Sequence, residues 1–248
     1  MGTLSTFTPP PPDPSAFPAV GPGHESWLTR VSRTVGLLLA ALLVALLALP
    51  VISLVLRVPP LTLLSRLQQP LVLDALRLSL ITSLSAALVV TAGGLPVAYV
   101  LATRDFPGKR LVEALIDLPM VLPPTVAGVA LLTAFGRAGL AGPALTALGI
   151  TLPFTTLGVV IAQAFVAAPF FISAARAGIT EVDRKYLDAA ATLRAPPGLT
   201  LWRVLVPLAA PALLAGAATG WARALGEFGA TITFAGNMPG VTQTMPLA

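Results

Sequence analysis

An all-α protein that crosses a membrane several times is the fold class this sequence predicts, on three observations. Hydrophobic residues make up 56% of its 248 positions and charged residues only 10%, where soluble domains carry roughly 25% charge. Its charge-free stretches reach the length of a bilayer-spanning helix. Its charges fall between those stretches rather than along one face, so the net charge of +5 suits membrane topology and not a nucleic-acid partner. Cysteine is absent, which excludes a disulfide framework, a thiolate nucleophile and any Cys-based metal site. No catalytic set and no metal-ligand set is expected. His24, the single histidine, reads as inert.

The elements follow in order. Residues 1–33 read as a disordered Pro-rich tail, with Pro9-Pro10-Pro11-Pro12-Asp13-Pro14 and no basic segment of the kind that opens a secretory leader. A first transmembrane helix is expected over 34–57. The uncharged run 34–56, between Arg33 and Arg57, would reach about 34 Å as a helix and cross a roughly 30 Å hydrocarbon core. A second uncharged run covers 78–103, between Arg77 and Arg104, and a third runs from Leu118 to Gly136. The stretch 138–153 is rich in Gly, Pro and Thr and reads as a loop, leaving a fourth span near 155–175 and a fifth near 204–224.

Basic residues set the orientation. With the N-terminus inside, the inner segments hold Arg30, Arg33, Arg104, Lys109, Arg110, Arg176, Arg184, Lys185, Arg194 and Arg203, ten of the fifteen Lys and Arg. Arg57, Arg66, Arg77, Arg137 and Arg223 fall outside. Five spans then leave 225–248 outside without an anchoring helix, and Met245-Pro246-Leu247-Ala248 reads as the start of a sixth span that is missing.

The four spans before Val204 hold no acid or base in their interiors, which argues against a proton-coupled pump or a voltage sensor. Ser79, Thr82, Ser83 and Ser85 read as helix-packing contacts. Gly93-Gly94-Leu95-Pro96 interrupts the second span, and Pro119, Pro123 and Pro124 fall in the third. Such breaks suit helices bent around a pathway, or reflect only that Gly and Pro are common in membrane helices.

The connection between the fourth and fifth spans, Ala177 to Arg203, is far longer than a connector requires. Thr180 is the expected N-cap of a helix over 181–195, with Glu181 and Asp183 in its first turn and Glu181 four residues before Lys185. Pro196 should stop it near Ala195. The helix is either a grip for a partner or an ordinary surface helix.

Here the sequence resembles a family. Asp188-Ala189-Ala190, followed by Leu193, Arg194 and the Leu-Val-Pro step ending at Pro207, is similar to the cytoplasmic "EAA" loop of ABC importer permeases. Asp188 stands where that family has Glu. Arg194 stands where it has Gly, which leaves the turn after the helix open. Ala224 to Phe234, Gly236 to Gly240 and Thr242 to Ala248 resemble the signature of molybdate permeases, as does Asp117 to Gly128 in the third span. Sulfate permeases are similar, with Tyr where this chain has Phe228. The resemblance covers 70–248, as an ABC permease transmembrane domain shortened at its C-terminus.

The resemblance implies a type I importer permease fold in the inner membrane. It implies a homodimer of permease subunits, an ABC ATPase subunit below and an extracytoplasmic molybdate-binding protein above. No cofactor would be bound by this chain, and ATP would be used by the ATPase subunit. That agrees with the absence of a G-x-x-x-x-G-K-[ST] loop: Gly108-Lys109 is followed by Arg110. Asp188, Ala189, Ala190, Leu193, Arg194 and Pro207 would couple to the ATPase. Pro123, Pro124, Gly226, Phe228, Gly229 and Thr231 would line the pathway or gate. Arg223 and Glu227, four residues apart, would either hold an outer gate shut or form a structural ion pair. A sulfate or tungstate permease and a non-transporting membrane scaffold are the alternatives.

Overall fold

The computed structural model describes residues 27–57 and 67–248, which fall into two units. The first holds one helix, α1 (Trp27–Arg57). It begins before the uncharged run, with Trp27 to Arg33 already helical; the tail reading of 1–26 lies outside the described residues. From Val31 to Arg57 none of α1 is buried within the chain. By length and composition alone, this run suits a bilayer.

The second unit is built from α2 (Pro70–Thr103), α3 (Lys109–Val121), α4 (Pro124–Phe135), α5 (Gly142–Ala147), α6 (Thr156–Thr180), α7 (Arg184–Thr192), α8 (Pro197–Thr200), α9 (Val206–Leu225) and α10 (Gly229–Ala235). A π-helical turn, Leu201–Leu205, joins α8 to α9, and a 3₁₀ turn, Met245–Leu247, lies near the C-terminus. Among the described residues four helical runs are long and apolar enough to cross a membrane: α1, α2, α6 and Pro197–Leu225.

The third predicted span is not one helix. It divides at Leu122, whose ψ of 135° is extended, between α3 and α4. Pro123 and Pro124 cause the break, because neither has an N–H for the ladder and each bars helical geometry to the residue before it. As a 12-residue helix, α4 is about 18 Å long. The expected interruption of the second span is absent, since α2 runs unbroken through Gly93, Gly94 and Pro96. Gly94 instead makes room for a neighbour: a Cβ there would lie 2.8 Å from the Phe171 ring. The stretch read as a loop over 138–153 contains the short helix α5.

The core sits between α2, α6 and α9. Ala86, Val90, Ala98, Ala167, Phe171, Ala175, Ala209 and Ala224 form its buried centre. Small residues let the backbones approach, as expected where lipid removes most of the hydrophobic drive between helices. A Cβ on Gly216 would lie 2.8 Å from Ala174, and one on Gly178 would collide with Ala212. These pairs run in opposite senses along the two helices, so α6 and α9 are antiparallel. A second cluster joins α4, α6 and α10 through Ala127, Leu131, Ala162, Val166, Ala230 and Phe234. In all, α6 borders α2, α3, α4, α9 and α10.

The two ends of the unit are distinct. At one end, Ala102, Thr103, Ile179, Arg184, Leu187 and Asp188 line a shared cleft, and Arg176 pairs with Glu113 at 2.6 Å. The other end holds residues 236–248. There Met245 N donates to Ser79 Oγ at 2.6 Å, Thr156 Oγ1 donates to Val241 O at 2.9 Å, and Asn237 Nδ2 donates to Leu247 O at 3.0 Å. The segment expected to hang free is therefore tied to α2 and α6, with Thr242, Thr244 and Leu247 buried.

Candidate functional site

Two places hold the candidate residues. The first is α7, between α6 and α8. Thr180 does not cap it: its hydroxyl donates to Arg176 O at 2.8 Å, and Thr180 closes α6. The cap is Asp183, whose carboxylate accepts from Lys185 N at 3.0 Å and pairs with Lys185 Nζ at 2.7 Å. So Lys185 pairs with Asp183, and the expected partnership with Glu181 is not made. The shift follows from α6 continuing to Thr180, which leaves only Glu181 and Val182 for the bend.

The ammonium of Lys185, and then its backbone N–H, hold the Asp183 carboxyl below its ordinary value of 3.8. Both bonds favour the charged form. A carboxylate with a lowered folded pKa contributes stability above its unfolded value and loses it as pH falls through the folded one. The helicity of this connection should therefore persist at neutral pH and fade only below 3.8. Asp183→Ala should remove that acid transition, as read by hydrogen exchange of the Lys185 and Tyr186 amides.

Val182 in the bend, and Leu187 and Ala190 on α7, face the core of the unit. Asp188, Ala189, Thr192, Leu193 and Arg194 are exposed, with Leu193 at 82%. The end of the helix answers the question that Arg194 raised. Arg194 N donates to Ala191 O at 2.9 Å and Ala195 N donates to Ala190 O at 3.0 Å. This is a Schellman motif with Arg194 at its left-handed position, φ 53°. The turn is kept although the residue is not glycine, at a cost of roughly 1–2 kcal/mol. Pro207 is not part of this group. It stands at the start of α9, beyond α8 and the π turn.

The second place is the junction of α9 and α10. Arg223 pairs with Glu227 at 2.5 Å, and Glu227 is 1% exposed. The other carboxylate oxygen, Oε1, accepts from Ala230 N at 2.8 Å. The carboxylate thus fixes Arg223 and the first turn of α10 together. Gly229 backs onto Pro124, where a Cβ would lie 2.5 Å from the Pro124 Cβ. Gly128 sits as closely under α10, 2.5 Å from the Thr233 Cβ by the same measure. The structure therefore brings Pro124, Glu227, Gly229 and Thr231 to the packing of α4, α6 and α10. Gly226, Phe228 and Pro123 are exposed beside it.

Sequence reasoning missed Gln163. It is fully buried in α6, and neither amide atom has a hydrogen-bond partner in the chain. One turn on, Ala167 faces Gly220 of α9. Thr231 Oγ1 and Thr244 Oγ1 are also buried without partners. The signal was one amide in the uncharged run 155–175. The hydroxyls read as packing contacts behave so in part: Trp221 Nε1 donates to Ser83 Oγ at 3.0 Å, and Ser79 holds Met245.

Residues 94–248 match the family described as binding-protein-dependent transport system inner membrane component. The chain is 42% identical over 200 residues to the molybdenum transport system permease protein ModB of Mycobacterium tuberculosis, covering 81% of this chain and 76% of that one. It is 42% identical over 177 residues to ModB of Haemophilus influenzae, covering 71% of this chain and 77% of that protein. It is also 36% identical over 179 residues to the probable sulfate transport system permease protein cysT of Chlorokybus atmophyticus, covering 72% and 63%.

Proposed function

The chain belongs to the family of binding-protein-dependent transport system inner membrane components, as the non-catalytic permease subunit of an ABC importer, and from that premise we propose that it carries molybdate inward across the cytoplasmic membrane. The observation that carries the cargo assignment is the level of similarity to proteins named for molybdenum transport, 42% over 200 residues. The chemistry agrees. A tetrahedral dianion must pass without being held, and charge-assisted bonds hold anions tightly. Arg223 is committed to Glu227, so its charge is not free to hold the anion. Affinity would then reside in a separate extracytoplasmic binding protein.

In this reading two copies of the chain pair, and an ABC ATPase subunit grips α7 through Asp188, Ala189, Leu193 and Arg194; Ala190, expected in the same contact, is buried and packs the helix to its own unit instead. The basic end of the unit, with Arg104, Lys109, Arg184 and Lys185, faces the cytoplasm. The short helices α3 and α4 supply the remaining crossing together. Closure of the ATPase pair moves α7 and switches the pathway between its inward- and outward-open forms. Similarity to sulfate permeases supports a second reading, a sulfate carrier.

The test is ATP-dependent uptake of radiolabelled molybdate into vesicles holding this chain with its ATPase and binding protein. Excess tungstate should suppress uptake and excess sulfate should not. Asp188→Arg, a charge reversal at the grip, should lower uptake more than about tenfold. Equal competition by sulfate would move the assignment to the second reading. Uptake indifferent to Asp188→Arg would remove α7 from the coupling role.

A further inference from the structure

Arg194 carries an unfavourable backbone geometry that glycine would carry freely. Its φ is 53°, the Schellman bonds around it are made, and its side chain is exposed. Nothing among the described residues accounts for an arginine there. The ion pairs among the described residues use Asp105, Glu113, Asp183 and Glu227, and none involves Arg194. Asp188, the carboxylate on the same helix, is not within bonding reach of it. Beside Arg194 stands Leu193, 82% exposed, on a helix whose opposite face is packed into the core. A strained cation and a bare apolar side chain together end the outward face of α7. Strain retained without an internal partner points to an external one.

Resting on the reading that α7 meets the ATPase subunit, we propose that Arg194 is the charge-specific contact of that interface. It would bind a carboxylate on the ATPase at the edge of an apolar recess that receives Leu193. A guanidinium binds a carboxylate in two-point fashion. It therefore selects which ATPase fits, whereas Asp188 and Ala189 supply the general grip.

The experiment measures binding of the purified ATPase subunit to the full-length chain in nanodiscs, at low and high salt, alongside thermal unfolding of the permease. Arg194→Gly should raise the unfolding temperature, because it relieves the left-handed strain, yet weaken ATPase binding about tenfold at low salt. The loss should shrink at high salt. Arg194→Lys should retain part of the affinity, and Arg194→Glu should lose more than Arg194→Gly. Binding by Arg194→Gly as tight as the parent's would overturn the proposal while leaving the grip intact. Failure of the parent chain itself to bind the ATPase would overturn the importer role of α7 as well.

Discussion

Replacing Glu227 with leucine is expected to destabilise the permease by about 3 kcal/mol or more, the range found when one member of a buried ion pair is removed. Two losses combine. Arg223 would keep its charge with no counter-charge, since its partner oxygen at 2.5 Å is gone. Ala230 N would lose its acceptor at 2.8 Å, so the first turn of α10 would have a bare donor away from water. Arg223→Met should cost nearly as much, because it leaves the Glu227 carboxylate, 1% exposed, unpaired. The double variant should recover most of the loss, missing only the bond to Ala230. Thermal unfolding in detergent checks this, and simple addition of the two single losses would deny the coupling. The same double variant separates the two readings of the pair. A gate without its latch lets molybdate cross vesicles without ATP; a structural pair replaced by apolar groups leaves them tight.

The second large effect is expected at Gly128. A Cβ there would lie 2.5 Å from the Thr233 Cβ and 2.9 Å from Ala230 O, and the backbone oxygen cannot swing away. Gly128→Ala should therefore cost about 1–3 kcal/mol, the usual range for overpacking, and Gly128→Leu should part α4 from α10 altogether. Protease sensitivity of the α4–α10 region and loss of the monodisperse detergent peak would report it. Thr233→Gly should partly rescue Gly128→Ala, because it removes one of the two obstacles. No rescue would place the obstruction at Ala230 O.

Much of this arrangement could be read from residue order. Charges punctuate the chain at Arg57, Arg104, Arg176 and Arg223, and these fall at or near the C-terminal ends of α1, α2, α6 and α9. What escaped was decided by neighbours rather than by local pattern. Gly93, Gly94 and Pro96 look like a break, yet α2 passes through them because Phe171 presses against Gly94 and the surrounding helices hold the chain in register. Pro123 and Pro124 look similar and do break their helix, since two adjacent residues without N–H groups remove successive rungs. Thr180 is a good cap by type, but α6 runs through it and hands the cap to Asp183. Gln163 could not be singled out without knowing that its face of α6 turns inward, toward α9.

The position of α6 has a mechanical consequence. It borders five other helices, α2, α3, α4, α9 and α10, and its Thr180 end adjoins α7 through a two-residue bend. An axle gripped along its length by five neighbours has no play of its own. Any shove at that end is shared out at once, and close-packed surfaces respond by changing from one seating to another instead of yielding by degrees. The molecule is geared rather than hinged. Under the proposed coupling through α7, its stroke would come in whole steps, and a half-stroke would have nowhere to rest.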